Sequence, residues 1–171
     1  FHVSRADQDQ FALTSQQRTA AAQARGYFDK EIIAVTIPQK KGDPVVVDID
    51  GFPRASTTLE TLAKLKGVVK ADGTVTAGNA SGINDGAAAV LVASEDAVAE
   101  YGLKPRAKII GATTVGVEPR IMGFGPAPAI KKLLQQTGVK LDEIDVIELN
   151  EAFAAQALAC TRDLGLPDGA E

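Results

Sequence analysis

Three short apolar runs in the second part of the chain, each followed by helix-forming residues, constrain the fold more than any other feature. The runs are Ala87–Ala93, Lys108–Val117 and Val146–Leu149. Short runs rich in aliphatic residues are typical of strands buried on both faces. Strands that alternate with helices indicate βαβ units. We therefore predict an α/β fold with a mainly parallel sheet from residue 87 onward.

Capping signals mark the predicted helices. Ser4 followed by Asp7 resembles a capping box with Asp in place of Glu, and Gly26 stands where a helix should stop, which predicts a helix from Arg5 to about Arg25. The same signals predict four further helices: Leu59–Lys64 after Thr58, a helix from Ser94 to near Gly102, Pro126–Thr137 before Gly138, and a terminal helix that opens at Glu151. Short strands are predicted at Glu31–Ile37 and Val45–Ile49.

Composition limits the classes of function. The 171 residues are 45% hydrophobic and 23% charged, which is enough to build a core. A net charge of −4 argues against nucleic acid or an anionic membrane as the main partner. The single cysteine, Cys160, permits no internal disulfide and fits a reducing cytosol, so we expect a cytoplasmic protein. The chain has no apolar run long enough for a membrane span and begins without a signal-peptide pattern.

Asn150 occupies the most informative single position. It follows Val146–Leu149 at a predicted strand-to-helix turn, and ligands in open α/β sheets bind at the carboxyl ends of strands. A carboxamide donates and accepts hydrogen bonds without titrating, so it can hold a water or an oxyanion. Asn is also a preferred helix N-cap. Spacing alone favours the cap, and both interpretations stay open.

Two glycine-rich loops and one arginine are further candidates. Thr76–Gly86 contains three glycines, two asparagines and Ser81, which suits either close approach to a ligand or a tight crossover turn. It matches neither a P-loop nor a dinucleotide fingerprint. Arg54, in an uncharged loop, suits a phosphate or a solvated surface. Met122, in the loop Ile121–Pro126, suits an acyl-chain pocket or ordinary packing.

The residues offer no complete nucleophilic machinery and no metal site. Cys160 falls well inside the terminal helix, where a small core residue is expected rather than a reactive thiol. His2 is the only histidine and lies near the chain start without a fixed partner. We therefore predict no Ser-His-Asp or Cys-His mechanism built from these residues alone, and no bound metal.

Four stretches, taken together, resemble the thiolase family of acetyl-CoA acyltransferases. They occur in the family's order and cover most of the chain: Ser4–Ala12 (SRADQDQFA), Thr74–Ala88 (TVTAGNASGINDGAA), Val115–Pro126 (VGVEPRIMGFGP) and Leu149–Ala157 (LNEAFAAQA). The residues around Asn79–Ala88 and Asp145–Leu158 are most similar to bacterial 3-oxoadipyl-CoA (beta-ketoadipyl-CoA) thiolases.

The resemblance implies a five-layer α/β/α/β/α fold of two related halves, with a loop domain inserted in the first. Residues 1–70 would be part of the coenzyme A-binding loop domain, residues 71–104 the end of the N-terminal half, and residues 105–171 the start of the C-terminal half. The start at Phe1 and the stop just past a helix lead us to expect a central piece of a longer protein. The family suggests a homodimer or homotetramer for the full-length protein.

The resemblance also implies roles for individual residues. Asn150 would hold a water that helps to form an oxyanion hole for the thioester oxygen, and Glu151 would support it. Coenzyme A or acyl-CoA would be the substrate, with no tightly bound cofactor. The residues expected to contact it are Arg54 and Thr61 at the nucleotide end, Ala77, Ser81, Ala152 and Phe153 beside the pantetheine arm, and Met122 at the acyl pocket.

The chain departs from the family pattern in one respect. The nucleophilic cysteine, the histidine of the Gly-His-Pro motif and the acid/base cysteine have no counterpart among these residues. Thiolase chemistry needs all three. We therefore expect a fragment of an enzyme that reversibly cleaves a 3-oxoacyl-CoA, inactive by itself. The alternative is a non-catalytic acyl-CoA-binding module on the same scaffold.

Overall fold

The computed structural model describes residues 1–169, in which helices predominate. Two short 3₁₀ segments, Pro119–Phe124 and Leu141–Glu143, accompany the regular elements. In chain order, the helices and strands are α1 Arg5–Ala24, β1 Val35–Ile37, β2 Val45–Val47, α2 Leu59–Ala63, α3 Glu95–Glu100, α4 Pro126–Thr137 and α5 Ala154–Asp163.

The capping box predicted for α1 is confirmed. The Asp7 backbone N–H donates to Ser4 Oγ at 3.1 Å, and the Ser4 backbone N–H donates to Asp7 Oδ2 at 3.2 Å. These two bonds satisfy N–H groups that have no partner within the helix. Gly26 follows the C-cap with φ of +67°, a left-handed conformation that favours glycine. The signals at both ends therefore give α1 its length.

Most of the other helix signals also hold. Thr58 and Ser94 cap α2 and α3 through their hydroxyls. The bounds of α4 agree with the prediction, and Gly138 ends it with φ of +73°. The terminal helix differs: α5 begins at Ala154, and its N-cap is Phe153. The prediction that a helix opens at Glu151, with Asn150 as its cap, is therefore wrong.

The core lies where α5 packs against α1, and α2 also contacts α1 while α4 contacts α5. Leu158 and Cys160 of α5 are 1% and 0% exposed, so the prediction that Cys160 is a core residue is confirmed. Arg162 links α5 to α1 through its ion pair with Asp7 at 3.1 Å. Its hydrogen bond to Asp7 lowers the pKa of that carboxyl below the ordinary value.

The predicted parallel sheet is absent from residues 1–169. The only ladder there is the antiparallel pair β1–β2, with Val35 opposite Val47, so both predicted strands are present but shorter than expected. Ala87–Ala93, Lys108–Val117 and Val146–Leu149 form no ladder. A parallel ladder needs a neighbouring strand to accept each N–H, and the described residues supply none to these runs. Their apolar side chains are consequently exposed, as with Val90 at 87%.

We predict that the 171-residue chain by itself has low autonomous stability. Its exposed apolar runs contribute nothing to burial, and unpaired strand-forming segments favour association. Differential scanning calorimetry of the purified monomer should show a broad transition with little heat absorbed. A sharp cooperative transition in a sample that sedimentation shows to be monomeric would contradict this.

Candidate functional site

The loop after Thr76 and the segment before α5 both line one cleft of about 330 Å³. Ser81 lines it from the loop, and Asn150 and Glu151 line it from the segment before α5. The remaining wall comes from one face of α1 and from the loop at Phe52 and Pro53. Helical spacing places the contributing α1 residues on that face: Phe11, Ala12, Ser15, Gln16 and Thr19.

Backbone hydrogen bonds hold the loop and the segment before α5 together. Ala80 and Phe153 form an isolated antiparallel bridge. Beside it, the Ser81 N–H donates to the Ala152 carbonyl at 3.0 Å, and the Ala154 N–H donates to the Asn79 carbonyl at 2.9 Å. This pairing keeps Phe153 extended, with φ of −145° and ψ of 138°, and delays the start of α5. It also explains why Asn150 is not a helix cap.

Two glycines allow the close approaches that shape this loop. A Cβ on Gly78 would lie 2.5 Å from Leu62 Cδ2, and one on Gly82 would lie 2.5 Å from Phe52 Cζ. Neither glycine has a positive φ, so what glycine provides here is space. The loop therefore packs tightly against α2 and the Phe52 ring. This packing favours the interpretation of its glycines as residues of a tight turn, although Ser81 still lines the cleft.

Asn150 and Glu151 have different surroundings. The Asn150 side chain is exposed at the cleft, where its carboxamide can bind a water or a ligand oxygen. The Glu151 carboxylate accepts a hydrogen bond from the Ser15 hydroxyl, 2.7 Å from Oγ to Oε2. Ser15 therefore fixes the direction of the side chain that follows Asn150.

The residues predicted for the nucleotide end lie outside the cleft itself. Arg54 is exposed, and its backbone N–H donates to Gln16 Oε1 at 2.7 Å, which ties its loop to the α1 wall. Thr61 is in the capping box of α2: its Oγ1 donates to the Thr58 carbonyl at 2.8 Å. Arg54 therefore has a charged group available beside the cleft, whereas the Thr61 hydroxyl already has a local partner.

The other predicted contacts are placed unevenly. Ala77 is exposed in the loop, next to the cleft residue Gly78. Ala152 and Phe153 take part in the backbone pairing described above, and Phe153 is 43% exposed. Met122 is 73% exposed in the first 3₁₀ segment and does not line the cleft. The structure thus brings Ser81, Asn150 and Glu151 together but leaves Met122 outside.

Cys160 has the surroundings of an inert thiol. Its Sγ lies 3.7 Å from the Gly123 carbonyl oxygen, and burial raises the pKa of the thiol above its ordinary value. Within residues 1–169, no group of three or more His, Cys, Asp or Glu side chains is placed to hold a metal ion. In the same part of the chain, no helix is both long and apolar enough to cross a membrane.

Reasoning from sequence missed the buried residues that support the cleft. Asp9 and Asn79 are 5% and 3% exposed and are hydrogen-bonded to each other. Arg5 and Asp9 are four apart on a helix, a spacing that signals an ion pair. Nothing local signals the bond from Asp9 to Asn79, because 70 residues separate them.

Comparison with known proteins identifies the family of this chain. Residues 1–96 match the family model described as "Thiolase, N-terminal domain", and residues 103–169 match "Thiolase, C-terminal domain". The fold is thus that of part of a two-domain enzyme family. The chain belongs to the thiolase family, and the resemblance carried by its four stretches is confirmed.

Individual relatives show how much of the family's length is represented. The chain is 78% identical over 168 residues to the beta-ketoadipyl-CoA thiolase of Acinetobacter baylyi, covering 98% of this chain and 42% of that relative. It is 55% identical over 168 residues to the 3-oxoadipyl-CoA/3-oxo-5,6-dehydrosuberyl-CoA thiolase of Escherichia coli K12, with the same two coverages. The chain therefore spans less than half the length of these relatives.

Solved structures show the same fold. The crystal structure of the Bacillus anthracis acetyl-CoA acetyltransferase superposes with a TM-score of 0.86 at 47% identity, covering 96% of this chain and 42% of that chain. Human mitochondrial 3-ketoacyl-CoA thiolase gives the same TM-score at 48% identity and the same coverages. A partial thiolase-like α/β fold is therefore confirmed, whereas the domain boundaries near residues 70 and 105 stay predictions.

Proposed function

We propose that the protein containing this chain reversibly cleaves a 3-oxoacyl-CoA with coenzyme A, giving acetyl-CoA and a shortened acyl-CoA. The observation that carries the proposal is the single cleft shared by Ser81 and Asn150 in a chain of the thiolase family. The names of two relatives favour 3-oxoadipyl-CoA as the substrate. We also propose a cytoplasmic protein that assembles as a homodimer or homotetramer.

The reaction assigns a specific task to Asn150. In thiolysis a thiolate attacks the 3-oxo carbon, and the carbonyl oxygen acquires negative charge. The bond between the α- and β-carbons then breaks, the leaving acetyl-CoA carbanion takes a proton, and the acyl group passes to the thiol of coenzyme A. The carbanion shares its negative charge with the thioester oxygen of the leaving acetyl-CoA. The exposed Asn150 carboxamide would hold a water beside that oxygen. Glu151, held by Ser15, would support that water.

Coenzyme A would extend from this cleft toward Arg54. Ser81 and Ala77 would lie along the pantetheine arm, and Ala152 and Phe153 would flank it. The Arg54 guanidinium would contact a phosphate, since its planar donors suit phosphate oxygens. Thr61 would stand near the same nucleotide end. Met122, which lies outside the cleft, is proposed for the acyl pocket on the strength of the family resemblance alone.

One observation favours a second candidate function, a non-catalytic acyl-CoA-binding module. Cys160, the only cysteine, is fully buried and its thiol pKa is raised, so these residues contain a binding cleft without an accessible thiolate. The two functions differ in one measurable respect: only the enzyme turns over a 3-oxoacyl-CoA.

We predict that Asn150→Ala in the complete gene product lowers kcat for thiolysis by about 10²–10³-fold, the typical cost of one oxyanion-stabilising donor. The KM for coenzyme A should change far less, because the carboxamide acts mainly where negative charge develops. Steady-state kinetics with acetoacetyl-CoA measure both. Gln135→Ala, at an exposed position of α4, is the control. An unchanged kcat in a folded Asn150→Ala variant would remove the proposed role.

We predict that the 171-residue chain by itself gives no measurable turnover of acetoacetyl-CoA, because it has no accessible thiolate and its one histidine is His2. Thioester absorbance in the presence of coenzyme A tests this, with the complete gene product as the positive control. Turnover by the isolated chain would refute the prediction. Calorimetric binding of coenzyme A without turnover in the complete gene product would favour the binding module.

We predict that Arg54→Ala weakens coenzyme A about tenfold, the scale of one charge-assisted hydrogen bond. The KM for an N-acetylcysteamine thioester, which has no phosphates, should stay unchanged. Arg106→Ala removes another exposed arginine and serves as the control. Equal losses with both substrates would show that Arg54 acts on the fold instead of on a phosphate.

A further inference from the structure

A buried polar network lies between α1 and the loop after Thr76, and one of its members, Asn79, also borders the cleft. Arg5 Nε donates to Asp9 Oδ2 at 2.8 Å, and Asn79 Nδ2 donates to Asp9 Oδ1 at 3.0 Å. Both carboxylate oxygens of Asp9 are therefore used, on a residue that is 5% exposed. The Arg5 guanidinium also donates to the Leu62 carbonyl at the end of α2. A buried charge with this many partners holds its neighbours in one arrangement.

Asn79 uses every polar group it has. Its Oδ1 accepts from the Thr76 N–H at 2.8 Å, and its Nδ2 donates to the Thr74 carbonyl at 3.0 Å as well as to Asp9. Its backbone N–H donates to the Thr76 carbonyl at 3.3 Å. The side chain therefore fixes the conformation of the loop and attaches it to α1.

The backbone of Asn79 performs a second task at the start of α5. Ala154 is the first residue of that helix, where backbone N–H groups have no partner within the helix. The Asn79 carbonyl accepts the Ala154 N–H at 2.9 Å. Phe153 provides no side-chain cap, so the loop supplies what the helix start lacks. Asn150 lies four residues before this junction.

We propose that Asn79 is a positioning residue for the thiolase reaction: anchored by Asp9 and Arg5, it sets the spacing between the Ser81 loop and the segment that carries Asn150. This inference rests on the function proposed above. It concerns Asn79 acting through Ser81 and Asn150, without contact between its carboxamide and the reacting atoms. The Asp9–Asn79 bond is the anchor, and the Asn79–Ala154 bond transmits the position.

The test exploits the direction of the anchoring bond. Asn79→Asp keeps the shape of the side chain but replaces the donor with an oxygen that faces the Asp9 carboxylate. In the complete gene product, we expect Asn79→Asp to raise the KM for coenzyme A about tenfold or more, the cost of turning a charge-assisted hydrogen bond into a repulsion. KM does not depend on the concentration of active enzyme, so a purely structural role would lower the melting temperature and leave KM unchanged.

Hydrogen exchange provides a second readout that needs no activity. The Ser81 and Ala154 amides should exchange at least about tenfold faster in Asn79→Asp, while the amides of α4 keep their rates, because only the junction is loosened. If the wild-type protein shows no thiolysis, the proposed function fails, and the exchange rates still decide the positioning role. Unchanged exchange at both amides would overturn it.

Paired variants separate positioning from general damage. Asp9→Asn should also raise the KM for coenzyme A, by a smaller factor. This variant replaces Asn79→Asp in the test if Asn79→Asp does not fold. The double variant Asp9→Asn/Asn79→Asp restores a donor facing an acceptor and should recover part of the lost affinity. Gln135→Glu makes the same amide-to-carboxylate change at an exposed position of α4 and should alter neither readout. Normal KM in both single variants, or no recovery in the double variant, would overturn the proposal.

Discussion

The backbone pairing of residues 79–81 with residues 152–154 is the constraint on which the cleft depends. These segments are more than 70 residues apart in sequence, and apart from Ala154, the first residue of α5, neither contains a residue of a helix or strand. The bonds from Ser81 to Ala152 and from Ala154 to Asn79 join them, and the buried Asp9 carboxylate attaches the pair to α1. Because α1 also supplies one wall, a single helix serves both as the anchor and as part of the surface that a ligand would meet.

The cleft is built without the central sheet that the apolar runs predict. Val90 and Val146 are 87% and 73% exposed, which is unfavourable for side chains of this kind in water. The relatives are more than twice as long as the region matched here, so most of their length lies outside the comparison. The elements around the cleft are instead held by helix packing and by polar bonds that are complete within residues 1–169. The elements around the cleft thus find their partners within these residues, whereas the apolar runs do not.

Sequence predicted the features whose causes are local. The Ser4–Asp7 capping box, the Gly138 stop and the bounds of α4 each depend on residues a few positions apart, and the structure has them as expected. The prediction of a parallel sheet was wrong, because an apolar run does not reveal whether a neighbouring strand is present to accept its hydrogen bonds. The predicted start of α5 was wrong for a related reason, since a loop about 70 residues earlier holds Phe153 extended. Ser81 and Asn150 share a cleft as the family resemblance implied, whereas the bonds from Asn79 to Asp9 and from Ser15 to Glu151 had no local signal.

The displaced start of α5 bears directly on what Asn150 can do. A capping asparagine accepts a backbone N–H through its side-chain oxygen, and that bond fixes the orientation of the carboxamide. Here the helix begins at Ala154, four residues after Asn150, and the carbonyl of Asn79 accepts the first N–H of the helix. The Asn150 carboxamide is thereby released from capping and stays exposed at the cleft, where both of its N–H donors can serve a water or an oxyanion. The same backbone bond that closes one side of the cleft thus leaves this side chain available for chemistry.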